Sequence, residues 1–119
     1  TRKILHLPEL AVTATTVRVP VRYGHGVSIN VQLEQPFELA QLRAALAAQQ
    51  GLAVQDDPAR NLYPMPITAE GRDEVFVGRI RRDDSVENGV NLWVVADNVR
   101  KGAAVNAVQI AQRVLEMQA

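Results

Sequence analysis

The sequence predicts an α+β domain whose antiparallel or mixed sheet is covered on one face by helices. Two observations carry that reading. Alternating or β-branched segments recur at residues 12–20, 25–34, 52–55, 74–81 and 90–96, while residues 36–51 and 101–117 repeat their apolar positions with helical periodicity. The resulting order is strand, strand, helix, strand, strand, strand, helix.

Val12, Ala14 and Thr16 alternate with Thr13, Thr15 and Val17, and this β-branched run predicts a first strand that Pro20 terminates. Gly24 and Gly26 bracket the next start. From there His25, Val27, Ile29, Val31 and Leu33 share one phase of a period-2 pattern, with Ser28, Asn30, Gln32 and Glu34 in the other. That is a half-buried antiparallel strand with His25 at its mouth. Pro36 at a first helical position, Glu38 in the first turn, Leu39, Leu42 and Leu46 on one face, and Gly51 past the end specify a helix. A short strand at Leu52–Gln55 leads into DDPARNLYPMPITAEGRD, residues 56–73, whose three prolines and one glycine predict a long surface excursion without regular structure. Glu74–Arg81 and Val90–Ala96 read as strands of a hairpin closed by DDSVENG and its Asn88-Gly89 signal. In the closing segment Ala107, Ile110, Val114 and Met117 form one stripe, and Ala104, Val108, Ala111 and Leu115 the adjacent one. So broad an apolar face predicts a helix laid flat on the sheet, and sheet left uncovered is expected to meet another subunit or domain.

The 119 residues fit one domain with a single core. Thirteen basic residues balance thirteen acidic ones, so the overall field predicts neither nucleic acid nor an anionic membrane as partner. With no cysteine, the chain has no disulfide, no thiolate metal site and no thiol nucleophile of its own. Its apolar runs, such as Leu92 to Ala96, fall far short of the ~20 residues a membrane helix needs. TRKILHLPEL is not a secretory signal, and a cytoplasmic protein is expected. The opening on Thr1, without methionine and inside an ordered-looking stretch, suggests a processed or truncated product.

Arg18 and His25 are the candidates for chemistry. They stand seven residues apart, and Pro20 and two glycines re-aim the backbone between them. A guanidinium clamps a carboxylate through paired N–H donors, and an imidazole with a pKa near 6.5 moves protons at neutral pH. The spacing alone favours a surface ion pair at Arg18 and a capped turn residue at His25. His6 lacks any metal-like spacing and reads as a packing or surface residue; no metal is predicted. Arg79, Arg81 and Arg82 precede Asp83 and Asp84, which predicts a salt-bridged turn rather than a phosphate site. Trp93 is expected to fill a sheet–helix or subunit contact.

RVPVRYGHG at residues 18–26, the YP-P pattern of Tyr63–Pro66, VGRIRRD at Val77–Asp83 and VVADNVRKGAAVNAVQIA at Val94–Ala111 resemble, in order and spacing, the aspartate-semialdehyde dehydrogenases. TRKIL also resembles the end of that family's Glu-Thr-x-Lys-Ile segment. The resemblance implies the C-terminal catalytic and dimerisation part of such an enzyme across residues 1–119, with a fold like the C-terminal domain of glyceraldehyde-3-phosphate dehydrogenase. It implies NADPH-dependent reduction of aspartyl 4-phosphate to aspartate 4-semialdehyde and phosphate through a cysteine acyl intermediate, in lysine, threonine and methionine biosynthesis. By the same resemblance Arg18 binds the substrate α-carboxylate, His25 is the acid/base that activates the cysteine, and Asn98 contacts the nicotinamide end of NADP. A homodimer is likewise implied.

Departures from the family pattern limit the expectation. The cysteine, the Gly-rich pyrophosphate turn and the lysine and glutamate that bind the phosphate and amino group belong to segments upstream of this sequence, so NADP is bound mainly by an N-terminal domain outside it and the isolated chain is expected to be inert. Gly26 stands where many family members carry serine, with the arginine-to-histidine spacing intact. Two other readings are a non-catalytic dimerisation module with idle site residues and the related N-acetyl-γ-glutamyl-phosphate reductase. RVPV and VADNVRKGAA argue against the latter.

Overall fold

A computed structural model describes residues 2–10 and 17–118. A single short turn, α1 (Arg2–Leu5), precedes the first described strand, β1 (His25–Gln32). Then come α2 (Leu39–Ala48), β2 (Leu52–Val54), α3 (Pro66–Ala69), β3 (Val75–Asp83), β4 (Gly89–Ala96) and α4 (Val105–Gln118). The strands form one mixed sheet in the order β1-β4-β3-β2. β4 pairs antiparallel with both β1 and β3, while β2 runs parallel to β3. The expected α+β class is borne out. The strand expected at 12–20 lies for the most part outside the described residues, and its tail at residues 17–20 is not in a strand.

Helix α2 and the β3–β4 hairpin build the core. Val77, Ile80 and Val90 are buried against Leu39, Leu42 and Leu46 of α2, together with Leu52, Val54, Leu92 and Val94. The opposite face carries a smaller cluster in which Ala69 of α3 is buried with Phe76 and Val95, flanked by Ala53 and Trp93. The sheet is therefore covered on both faces, not one, because the proline-rich excursion folds back as α3. Prolines permit this where a helical turn begins, since the missing N–H has no intrahelical partner there. Pro66 opens α3, and Pro58 opens a 3₁₀ turn over Pro58–Arg60 in which Asp57 Oδ1 accepts from the N–H groups of Ala59 at 3.1 Å and Arg60 at 3.3 Å. The reading of 56–73 as devoid of regular structure is corrected accordingly.

A bulge shapes β3. Gly78 pairs with Trp93 but Arg81 with Asn91, so Arg79 and Ile80 together face one partner residue. Arg79 takes a left-handed φ of 52°. The buried Asp56 carboxylate holds this conformation by accepting from the backbone N–H of Arg79 at 2.7 Å, that of Ile80 at 3.1 Å, and the Arg43 guanidinium. Arg43 also donates to the Ile80 carbonyl at 2.8 Å, tying α2 to the bulge. Nothing larger than glycine fits at position 78, where a Cβ would lie 2.2 Å from the Gln55 carbonyl oxygen.

Three further expectations are revised. α2 begins at Leu39 and not Pro36, because Phe37 is held by β3: Arg82 donates to its carbonyl and stacks 4.6 Å above its ring. The arginine cluster is not a salt-bridged turn, since among the described residues no ion pair joins Arg79, Arg81 or Arg82 to Asp83 or Asp84. Arg82 instead approaches Glu38 at 3.8 Å, and Asp83 accepts from the Ser85 N–H and hydroxyl and from Asn30. Finally, α4 does not lie on the sheet. A π-helical turn at Arg100–Ala104 leads into it, with Gly102 N–H bonded to the Asp97 carbonyl at 3.1 Å, and no described α4 residue is buried. Leu115 is 66% and Met117 76% exposed. α2 and α3 pack on the two faces of the sheet around β3 and β4, while β1 stays largely exposed.

Candidate functional site

The sheet end at the start of β1 and the end of β4 collects the predicted site residues. His25 pairs with Ala96 in the last rung of the β1–β4 ladder, and its side chain is exposed. Beyond that rung the backbone ladder stops, and a side chain continues it: the Gly24 N–H donates to Asn98 Oδ1 at 2.8 Å, across 74 positions of sequence. Gly24 needs to be glycine on two counts. Its φ is +88°, and a Cβ there would sit 3.1 Å from Pro66 Cβ of α3. The turn delivering His25 is thus pinned by Asn98 and abutted by Pro66.

Asn98 is held in turn by its neighbour. Asp97 is 3% exposed, and its carboxylate accepts from the N–H groups of Gly71 at 2.9 Å, Val99 at 2.8 Å and Arg100 at 3.1 Å. These donors, the Gly71 N–H foremost, hold its carboxyl below the usual carboxylate range. The Arg100 guanidinium binds Asp73 at 2.5 Å, lowering the Asp73 carboxyl and raising its own pKa. The sequence reading named Asn98 but missed Asp97 and Gly24 as its anchors. An Asp just ahead of a helix is a recognisable capping signal, whereas the Gly24 contact is long-range and leaves no local trace.

Arg18 stands apart from that cluster. It lies exposed in the irregular stretch 17–23, where Val21 N–H bonds back to the Val19 carbonyl at 2.9 Å around Pro20. Among the described residues no ion pair involves it and no hydrogen bond joins it to His25 or Asn98. The structure thus brings His25 and Asn98 to one sheet end and leaves Arg18 seven residues upstream, exposed. Chemically, the set offers an exposed imidazole, an exposed guanidinium and a carboxamide.

A further contact underlies His25. A Cβ on Gly26 would lie 2.5 Å from Cη2 and Cζ2 of Trp93, so the indole occupies the space a side chain at position 26 would need. Trp93 Nε1 donates to the Pro64 carbonyl at 3.0 Å, fixing the ring there. The expected sheet–helix role of Trp93 is met within the α3-side cluster. His6 is exposed with a φ of 54°. No cluster of three or more His, Asp or Glu side chains with metal-binding geometry occurs among the described residues. An open groove of about 540 Å³ between α4 and the end of α2, lined by Gly51, Lys101, Gln109 and Arg113, shares no residue with the His25 end.

Comparison with known proteins converges on one group. Residues 1–101 match the semialdehyde dehydrogenase dimerisation domain. Aspartate-semialdehyde dehydrogenase of Aquifex aeolicus is 56% identical over 112 residues, covering 94% of this chain and 33% of that protein. That of Bacillus subtilis is 47% identical over 113 residues, with the same coverage. Among solved structures, an aspartate semialdehyde dehydrogenase II from Vibrio cholerae in complex with ASA superimposes with a TM-score of 0.82 at 43% identity, covering 97% of this chain and 34% of its own. A probable aspartate-semialdehyde dehydrogenase from Pseudomonas aeruginosa gives 0.71 at 37% identity, covering 84% of this chain and 29% of its own. The chain therefore spans about a third of the length of the relatives it matches.

Proposed function

Because the chain belongs to the semialdehyde dehydrogenase family, over its dimerisation domain, we propose that it is the C-terminal catalytic and dimerisation part, residues 1–119, of an aspartate-semialdehyde dehydrogenase that reduces aspartyl 4-phosphate to aspartate 4-semialdehyde and phosphate. The observation that supports this most directly is the His25 end of the sheet, where an exposed imidazole and the Asn98 carboxamide share one strand mouth. In this reading Arg18 pairs with the substrate α-carboxylate, a bidentate task suited to its planar fork. His25 takes the proton of a cysteine thiol supplied by the part of the enzyme outside this sequence, and returns a proton as the reaction completes.

The cofactor of this reading is NADP, whose reduced form, NADPH, would supply the hydride when bound. Asn98 fits a nicotinamide carboxamide, since its Oδ1 is taken by Gly24 and its Nδ2 hydrogens remain as donors. The pyrophosphate does not fit this chain: Gly24-His25-Gly26 is no G-x-G-x-x-G turn and opens a strand, not a helix. Most of the cofactor site, and the nucleophile, come from elsewhere in the enzyme. The protein acts as a cytoplasmic homodimer in amino-acid biosynthesis, and the exposed apolar stripe of α4 is surface that the rest of the enzyme or the second subunit covers. No helix of the described residues is long and apolar enough to cross a membrane.

Substitution in the full-length enzyme tests the assignment. His25→Ala lowers kcat, on the order of a hundredfold or more for loss of an acid/base, and Arg18→Leu mainly raises KM for the amino-acid substrate. The 119-residue chain alone shows no NADPH-dependent turnover. Negligible effects of both substitutions overturn the site assignment, and turnover by the isolated chain overturns the division of labour.

A further inference from the structure

We propose that Asn98 is a positioning residue for His25, acting through the Gly24 N–H as a side-chain rung that extends the β1–β4 ladder past its last backbone pair. The inference rests on the reading of His25 as the proton carrier, but the contact itself does not. His25 is the terminal residue of β1, so its backbone is guided on one side by the ladder and on the other only by whatever holds Gly24. The Asn98 bond at 2.8 Å is that hold, and Pro66 lies 3.1 Å from where a Cβ on the same glycine would sit. Asn98 is suited to the task because it does not move independently: the adjacent Asp97 is buried and bound to three backbone N–H groups, from the turn after α3 and from the entry to α4. The carboxamide is also bifunctional. With its oxygen committed to Gly24, its nitrogen makes no hydrogen bond among the described residues, so a ligand bound at Nδ2 and the backbone before His25 would share one side chain. Occupation of Nδ2 then steadies the imidazole.

Two substitutions in the full-length enzyme separate this from a simple ligand contact. Asn98→Ala removes both functions, and kcat falls on the order of tenfold to a hundredfold, the scale of a roughly 1 Å misplacement of a catalytic group. Asn98→Asp keeps an acceptor for Gly24 and loses the donor, so its kcat falls less than that of Asn98→Ala, while both raise KM for the cofactor. Hydrogen exchange of the peptide covering residues 20–27 supplies a readout independent of activity: it is faster in Asn98→Ala, near wild type in Asn98→Asp, and unchanged in peptides of β3 and α2 in both. If Ala and Asp behave alike, raising only cofactor KM with exchange at 20–27 unaltered, the positioning role is overturned. If exchange and the Ala/Asp contrast come out as stated but His25→Ala leaves turnover intact, it is the assignment of His25 that fails, and the rung between Asn98 and Gly24 stands.

Discussion

The two ends of the sheet are held together by different means. At the β2–β3 side, α2 buries Val77, Ile80 and Val90, and Asp56 gathers three donors around the β3 bulge. At the β1 side, His25 and Arg18 are exposed, and the Gly24–Asn98 hydrogen bond and the neighbouring Pro66 position the residue that leads into His25. The first end is a scaffold whose geometry is fixed by burial. The second presents side chains to solvent and relies on a few directional contacts. A site built this way keeps its reactive groups accessible, but its precision depends on very few atoms.

The contrast is sharpest if the scaffold end fails first under substitution. Asp56→Ala leaves the Arg79 and Ile80 N–H groups and part of the Arg43 guanidinium without their acceptor, and releases the left-handed Arg79. Breaking a buried charge pair costs about 3–5 kcal/mol, and with Arg43 partly exposed the lower end applies. Denaturant unfolding of the enzyme measures it, and Asp56→Asn, which keeps one acceptor, loses less. A change below about 1 kcal/mol for Asp56→Ala, the size of an ordinary surface substitution, erases the distinction between the two ends.

Much of the scaffold was legible in the sequence, and much of the site's support was not. The alternation from His25 to Glu34, the leucine spacing of α2 and the Asn88-Gly89 turn each report a local rule, and the corresponding elements are present. The β3 bulge was invisible because its cause, Asp56, lies more than twenty residues away in a stretch that composition marks only as loop. The late start of α2 has the same origin, since Arg82 on β3 outcompetes the helix for Phe37. Helix α4 shows the opposite failure: its stripe was read correctly, but periodicity says that a face must be covered and not by what. At the site, His25, Arg18 and Asn98 were found from their residue types and from family resemblance. That Asn98 holds Gly24 follows only from the strand register that ends at Ala96.

A smaller effect probes the face beneath His25. Gly26→Ser places a Cβ 2.5 Å from the Trp93 ring, which is itself tied to Pro64, so the indole must move. Overpacking of this kind costs about 1–3 kcal/mol. Trp93→Leu opens the space, so the double variant is more stable than the two single losses sum to, a coupling that a double-mutant cycle reads directly. Additive losses remove Trp93 as the reason that position 26 is glycine. The cycle also separates the two ends of the sheet, because kcat responds to Gly26→Ser through the adjacent His25, whereas Asp56→Asn acts on stability with kcat little changed.

The least disruptive probe is acid. Asp97 is the anchor of the site end, and its folded-state pKa lies below its ordinary value, chiefly through the Gly71 N–H. A depressed carboxylate stabilises the fold fully above its unfolded pKa of ~3.9, and loses that contribution as pH falls through the lower folded-state pKa. Asp97→Asn keeps one acceptor oxygen but turns an NH₂ group toward one of the three backbone donors, and it carries no charge at any pH. The stability difference between wild type and this variant is therefore constant near neutrality and narrows below about pH 4, since carboxylates that do not feel Asp97 cancel, and Asp73, which the Asp97 charge raises, titrates in the same acid range. Exchange at residues 20–27 in the wild type, corrected for the intrinsic pH dependence of amide exchange, rises over the same acid interval as Asp97 releases the backbone N–H groups that brace the turn at Asn98, while β3 stays protected. A difference that remains flat down to about pH 2, well below the ordinary carboxylate pKa, means that Asp97 does not anchor the site end through its charge, and that the exposed end of the sheet is held by packing as the buried end is.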